Sequence, residues 1–197
     1  EYRRHVVTML KLLGDDPAQA ANAATAVLEI ETELARASKS RVELRDPNAD
    51  YNKLTVAELV ERTPGLGWRH FLGGLGLSGM KDLVVGQTNF FAAVSRLVKD
   101  RPVADFQAYL RWHVLSDAAP FLHAEVERES FNFYGKTLRG QPEQEPRWQR
   151  AARVIDSSLG EALGRLYVEK HFPPAARARM EELVANLRAV FHDRLGK

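Results

Sequence analysis

The sequence predicts a nearly all-α protein, a multi-helix lobe with one short β element. Apolar residues recur every three or four positions through most of the chain, which is the period of an α-helix. The 13 glycines and 9 prolines mostly cluster between those periodic segments. With 197 residues, 45% of them hydrophobic, the chain is long and apolar enough to bury a core. We therefore expect residues 1–197 to form a single helical lobe.

The N-terminal part of the chain predicts two helices. The first ends at Gly14, and the residues expected to face inward on it are Val6, Met9, Leu10 and Leu13. Asp16 followed by Pro17 predicts the start of the second, because aspartate caps helices and proline suits the first helical position. This helix is expected to reach Ala37. Its apolar stripe is Ala20, Ala23, Val27, Ile30 and Leu34.

The middle of the chain predicts shorter elements. Residues 45–52 are rich in turn formers and indicate a loop. Thr55 and Glu58 have the spacing of a capping box, which predicts a helix start. Residues 68–72 predict another turn of helix. Residues 83–85 are the only segment that predicts a strand.

The rest of the chain predicts five helices. Their expected ranges are 89–99, 103–116, 119–138, 145–168 and 175–195. The fourth contains Gly160 and Gly164, each of which costs about 1 kcal/mol relative to alanine inside a helix. We therefore expect a neighbouring helix to approach closely on the face of these glycines. The apolar stripe of the last helix is Met180, Leu183, Leu187, Val190 and Phe191.

Composition excludes several classes of function. The 28 basic and 26 acidic residues are interleaved and leave a net charge of +2, so no basic run indicates nucleic-acid binding. There are no cysteines, which excludes disulfides, thiolate metal sites and cysteine nucleophiles. No apolar run approaches the ~20 residues that span a bilayer.

Catalytic and ligand-binding motifs are also missing from the sequence. Of the six histidines, the two nearest in sequence are His113 and His123, whereas a zinc site on one helix needs a pair about four residues apart. We therefore expect no metal site and no cofactor in this chain. Residues 73–79 are glycine-rich, but they lead into a strand instead of a helix, which favours a flexible connection over a phosphate-binding loop.

Four residues of the fourth C-terminal helix are the candidate site residues. They are Arg147, Trp148, Arg165 and Tyr167. Arginines beside aromatic side chains suggest a cation–π or hydrogen-bonded cluster. The alternative, which the sequence favours, is that they are packing residues of the lobe. The sharper hypothesis is that some face a substrate chamber or an interlobe boundary.

Several blocks of the sequence together resemble the neprilysin and endothelin-converting-enzyme family of zinc metallopeptidases. These blocks, which occur in the family's order, are Arg45–Pro47, Tyr51–Thr55, Tyr109–His113, Phe131–Tyr134, Pro146–Arg150 and Gly160–Val168. The family's catalytic motif, His-Glu-x-x-His, does not occur in the 197 residues. Animal members often carry a cysteine at the position of Ala151, so its absence suggests a bacterial or cytosolic relative.

The resemblance implies a fold and a role. Family members have two largely helical lobes around a chamber, and one lobe binds zinc through the two motif histidines and a later glutamate. The other lobe covers the chamber and limits access to small peptides and unfolded segments. This chain resembles the covering, N-terminal region. The expected partners are therefore the catalytic lobe of the same parent protein, which would hold the zinc, and peptide substrates.

Two functional hypotheses follow. In the first, residues 1–197 are a non-catalytic lobe of a neprilysin-like zinc metalloendopeptidase, inactive alone, and the catalytic zinc domain lies outside them. In the second, the chain is a stand-alone helical module that binds a protein or peptide without enzyme activity. For a bacterial member of the family we expect the periplasm or the extracellular space.

Overall fold

In the computed structural model, residues 1–196 are described, and most of them are helical. Among these residues there are nine α-helices and only a two-stranded sheet, so the nearly all-α prediction is confirmed. The chain forms two compact units, of which the first comprises Glu1–Pro142 and the second begins at Glu143.

The first unit is built mainly from α-helices. Its α-helices are α1 Tyr2–Leu12, α2 Pro17–Ala37, α3 Val56–Arg62, α4 Trp68–Gly74, α5 Thr88–Asp100, α6 Val103–Ala118 and α7 Ala124–Ser130. A π-helix, Phe131–Thr137, continues α7, and short 3₁₀ turns occur at Glu43–Arg45 and Ala119–Phe121. Its strands are β1 Lys53–Thr55 and β2 Asp82–Val84. The second unit contains α8 Arg147–His171 and α9 Pro174–Leu195.

The β element is an antiparallel ribbon. Leu54 of β1 faces Leu83 of β2, and the flanking pairs are Lys53 with Val84 and Thr55 with Asp82. The prediction of a single strand was therefore wrong, because β1 was missed. A three-residue strand is too short to show alternating apolar and polar residues. It forms because it pairs with β2, which lies far away in sequence.

The start of α2 follows from its first residues. The Asp16 carboxylate accepts hydrogen bonds from the backbone N–H groups of Ala18 and Gln19, each at 2.9 Å. Pro17 occupies the first turn, where its missing N–H costs nothing. The predicted start at Asp16-Pro17 and end at Ala37 are both confirmed.

The inward face of α1 differs from the prediction at two positions. Leu13 caps the helix and is 42% exposed, so its predicted place in the core was wrong. His5 is buried instead, on the same face as Val6 and Met9. A histidine at a core position needs a polar partner, and only the folded chain shows which residue provides it.

Four helices of the first unit share one core. Its buried members, from α1, α2, α6, the following 3₁₀ turn and α7, are Val6, Met9, Leu10, Ala20, Ala24, Val27, Trp112, Leu115, Ala119 and Val126. Full burial of a leucine-sized side chain contributes about 1.5–3 kcal/mol, so this cluster is the main source of the unit's stability. A smaller cluster of Leu54, Leu59 and Val85 lies beside the ribbon.

The predicted single helix over residues 119–138 is broken in the structure. After the 3₁₀ turn, Leu122 has extended backbone angles, and α7 starts at Ala124. The Pro120 ring occupies the 3₁₀ turn, and proline cannot donate the N–H that a continuous helix would use. In the later π-helix, the Phe131 ring lies over Gly135, and a Cβ there would be only 2.5 Å from that ring.

Candidate interaction surface on helices α8 and α9

Helix α8 begins at Arg147, directly after Pro146, and side-chain bonds fix that start. The Arg150 side chain donates to the carbonyl oxygen of Glu145 at 3.0 Å, and Arg153 forms an ion pair with the Glu145 carboxylate at 2.5 Å. Inside the helix, Leu159 has non-helical backbone angles and produces a kink directly before Gly160. The sequence pattern did not predict this kink.

Both helices of the second unit carry an exposed apolar stripe. The α8 stripe is defined by Trp148, Ile155, Leu159, Leu163 and Leu166. The α9 stripe is defined by Met180, Leu183, Val184, Leu187 and Phe191. The members of the α8 stripe are spaced three, four or seven residues apart, and each member of the α9 stripe has another three or four residues away, so each set lies along one face of its helix.

No residue of α8 or α9 is buried within the described ranges Arg147–His171 and Pro174–Leu195. Isolated helices gain too little from hydrogen bonds and propensity to offset the lost conformational entropy, so helices of this kind depend on packing of an apolar face. Exposed contiguous apolar surface is typical of interaction sites. The two stripes are therefore the candidate functional surface. None of the described helices is long and apolar enough to cross a bilayer.

The four candidate residues do not form a cluster. Trp148 and Tyr167 are 70% and 63% exposed, and along one helix their positions are about 28 Å apart. The Tyr167 ring lies against His171 instead, with ring centroids 4.9 Å apart. A cation–π or hydrogen-bonded cluster of all four residues is therefore not formed, because residues so far apart on one helix cannot touch. Arg147 and Arg165 are also exposed. A role at a chamber or an interlobe boundary stays a prediction for all four.

The two glycines of α8 have free space around them. A Cβ on Gly160 would meet only the Asp156 carboxylate of the same helix, at 3.5 Å, and one on Gly164 would meet no described atom within 4 Å. Within this unit, the close helix approach predicted at these glycines is not formed.

The described residues do not fit a metal. Across residues 1–196 no group of three or more histidine and carboxylate side chains could hold an ion, and the sequence lacks His-Glu-x-x-His. No chemical step can therefore be assigned to zinc on this chain.

A cleft of about 440 Å³ in the first unit is lined by charged residues, among them Arg3, Glu29, Glu33 and Arg101. The Arg101 guanidinium is held at 2.8 Å from Glu29 and 2.9 Å from Glu33, and it also contacts Asp105 at 3.2 Å. Hydrogen bonds to these carboxylates raise the pKa of Arg101. Its charge is therefore already neutralised, and the cluster joins α2 to the start of α6 instead of binding a ligand.

Sequence reasoning missed His5 as a residue with chemistry. Its Nδ1 lies 2.9 Å from Oε1 of Glu129, which is on α7. The available signal was its spacing, because His5 and Met9 are four residues apart and so share the apolar face of α1.

A comparison with protein-family models decides the family. The model for the N-terminal part of peptidase family M13, described as "Peptidase family M13", matches residues 1–197. The chain belongs to peptidase family M13. The resemblance to the N-terminal region of the neprilysin family is thereby confirmed.

Named relatives of this M13 chain include two mammalian proteins. Rat (Rattus norvegicus) endothelin-converting enzyme-like 1 is 29% identical over 203 residues, covering 98% of this chain and 25% of the relative. Human (Homo sapiens) neprilysin is 26% identical over 178 residues, covering 84% of this chain and 24% of the relative. The chain therefore spans about a quarter of the length of these relatives.

Solved structures of a bacterial M13 protein have the same fold. The open state of the Mycobacterium tuberculosis zinc metalloprotease Zmp1 superposes with a TM-score of 0.83 at 34% identity, covering 95% of this chain and 30% of Zmp1. Its complex with an inhibitor gives a TM-score of 0.82 at 32% identity, covering 95% and 29%.

Proposed function

We propose that residues 1–197 are a non-catalytic helical part of a neprilysin-like zinc metalloendopeptidase, which encloses the peptide chamber and restricts the size of substrates. One observation carries the proposal: the family match covers the whole chain, yet the chain has no His-Glu-x-x-His. The hydrolytic chemistry and the zinc then belong to the catalytic part of the parent protein. That catalytic part and peptide substrates are the proposed partners.

The stripes of α8 and α9 support a docking role within the parent. Each presents apolar side chains on one face, while the rest of the helix carries charges such as Arg153 and Glu169 on α8 and Glu182 on α9. Burial of such a face against another apolar surface is favourable, because it removes apolar side chains from water. We propose that the parent polypeptide supplies that surface, and that Trp148 and Tyr167 lie at or beside the boundary. For a bacterial parent we propose the periplasm or extracellular space.

The proposal is tested in the parent protein by placing a charge on each stripe. Ile155→Glu and Leu187→Glu would bury a carboxylate against apolar surface, which costs several kcal/mol, so docking should weaken by at least about tenfold. Ser157→Glu, on the opposite face of α8, is the matched control. The measurement is the ratio of kcat/KM for a folded protein, which the proposed cover excludes, to that for a short quenched peptide. This ratio should rise in both stripe variants and stay unchanged in the control.

Bound zinc and far-UV circular dichroism show whether each variant remains folded and loaded. An unchanged ratio in folded, zinc-loaded stripe variants would contradict a chamber-enclosing role. The isolated 197-residue chain should neither bind zinc nor cleave quenched peptides, and chelator-sensitive cleavage by it would refute the assignment as non-catalytic.

The alternative, a stand-alone interaction module, predicts a different pattern. Its stripes would serve a partner other than the catalytic part. The isolated chain would then bind that partner without any catalytic part, and Ile155→Glu would abolish the binding while Ser157→Glu left it unchanged.

A further inference from the structure

His5 sits at the meeting point of four elements of the first unit. Its side chain is 1% exposed, and Nδ1 lies 2.9 Å from Oε1 of Glu129. The two residues are 124 positions apart in sequence, so this contact joins α1 to α7. The Glu129 side chain is 24% exposed, which leaves it partly in contact with water.

Aromatic rings enclose the imidazole. Phe133 of the π-helix stacks on it with centroids 4.5 Å apart and an interplanar angle of 11°. Trp112 of α6 and Tyr134 of the π-helix meet it edge to face at 5.6 and 5.4 Å. The imidazole therefore has one polar partner in an otherwise aromatic box.

The second ring nitrogen of His5 is buried, and within residues 1–196 it has no hydrogen-bond partner. In the neutral ring, Nδ1–H donates to the Glu129 carboxylate and Nε2 carries only a lone pair. Protonation would create a buried N–H donor at Nε2 without an acceptor. It would also place a positive charge among the aromatic rings, where little water can solvate it.

The charged and titratable groups around His5 are few. Glu129 faces it from α7 and Tyr134 from the π-helix, and Tyr2 lies one turn away on α1. Glu31 of α2 is engaged by the Tyr2 hydroxyl, which donates to it at 2.8 Å. Burial lowers the pKa of His5, and the hydrogen bond and charge of Glu129 oppose this shift without cancelling it.

We propose that buried His5, with the aromatic rings and Glu129 around it, is a pH-sensitive latch: it joins α1 to the segment formed by α7 and the π-helix, and this packing loosens as the pH falls. The segment formed by α7 and the π-helix is suited to open when His5 is protonated. Helix α7 has only seven residues and no side-chain cap at its N-terminus, and the wide π-helical turn follows it at once. This proposal concerns the first unit alone and stands independently of the proposed peptidase role.

The sign of the pH dependence follows from linkage. A folded-state pKa below the ordinary histidine value of about 6.5 means that the unfolded chain binds the proton more readily. The stabilisation is therefore fully present above about pH 6.5. It is lost as the pH falls from there towards the lower folded-state pKa.

The latch is tested on the 197-residue chain by thermal unfolding at pH 7.5, 6.5 and 5.5. The unfolded chain binds a proton at His5 more tightly than the folded chain does. Each factor of ten in that affinity should lower Tm by about 3–5 °C once the pH is below both pKa values. His5→Asn keeps a donor near the Nδ1 position and cannot titrate, so it should lack this part of the pH dependence. His70→Asn removes an exposed histidine and is the matched control, which should keep it.

A direct measurement keeps the proposal testable if His5→Asn does not fold. In the wild-type chain, the imidazole NMR signals of His5 should titrate below about pH 6.5, and Glu129→Gln should move this titration lower still. Amide protection factors, which correct for the slower intrinsic exchange at lower pH, should fall more in residues 124–137 than in α2 between pH 7.5 and pH 5.5. Titration of His5 at or above 6.5, or an equal loss of protection in both segments, would overturn the latch.

Discussion

The buried Trp112 is linked to the edge of the first unit's core by two successive hydrogen bonds. The indole N–H of Trp112 donates to the Tyr2 hydroxyl at 3.0 Å, and that hydroxyl donates to Glu31 at 2.8 Å. Burial and the nearby Glu31 carboxylate raise the pKa of Tyr2, so it remains a donor at any physiological pH. The two bonds lead from the buried indole to a partly solvated carboxylate. They satisfy the polar atom that a buried tryptophan carries into a core.

At the residue scale, Gly65 and Gly74 should respond in opposite ways to substitution by alanine. A Cβ on Gly65 would lie 2.6 Å from the backbone oxygen of Ser95, whereas Gly74, at the end of α4, has nothing within 4 Å. Gly65→Ala should therefore destabilise the chain by about 1–3 kcal/mol through overpacking. Gly74→Ala should be neutral or stabilise it by up to about 1 kcal/mol.

Urea unfolding followed by circular dichroism measures both changes. The hydrogen bond from the Gly65 N–H to the Ser95 hydroxyl, at 3.0 Å, holds this approach in place. Equal stability of the two variants would mean that the backbones at Gly65 and Ser95 can move apart at little cost in free energy.

At the element scale, local signals located helix starts well. The Thr55 hydroxyl accepts from the Glu58 N–H at 3.1 Å, and the Glu58 carboxylate accepts from the Thr55 N–H at 2.7 Å. The hydrogen bonds that the Thr55 N–H and hydroxyl donate to the Glu58 carboxylate lower the pKa of Glu58. The predicted capping box is thereby confirmed. The two residues recognise each other within one turn, so sequence spacing alone suffices to predict the contact.

Helix α8 offers a test of its glycines at the same scale. Because Gly164 has open space around it, Gly164→Ala in the isolated chain should raise helix stability by about 1 kcal/mol. Far-UV circular dichroism during thermal unfolding measures the change. A loss of stability in the isolated chain would contradict the open environment of this face. In the parent, the same substitution should be destabilising if another helix packs closely against Gly164.

For the molecule as a whole, the two units differ in what stabilises them. The first unit has a shared core of buried side chains, whereas α8 and α9 have none in their described residues. In the isolated chain, amide hydrogens of residues 147–195 should therefore exchange faster than those of α1 and α2, since local opening exposes no buried surface. Hydrogen–deuterium exchange with mass spectrometry measures the difference. Equal protection in the two regions would mean that the stripes are covered in solution.

The sequence alone determined the helical character, most helix starts and the family. These depend on patterns within a few residues, such as the Asp16-Pro17 start, or on blocks such as Gly160–Val168 that need no folding to be recognised. Only the tertiary structure decided the pairing of β1 with β2, the break at Leu122 and the burial of His5 against Glu129. The strand pairing and the His5 contact join positions far apart in the chain, and their free energy exists only once those positions meet. The exposure of the α8 and α9 stripes belongs to the same class, because an apolar pattern shows which face of a helix will be covered but not what covers it.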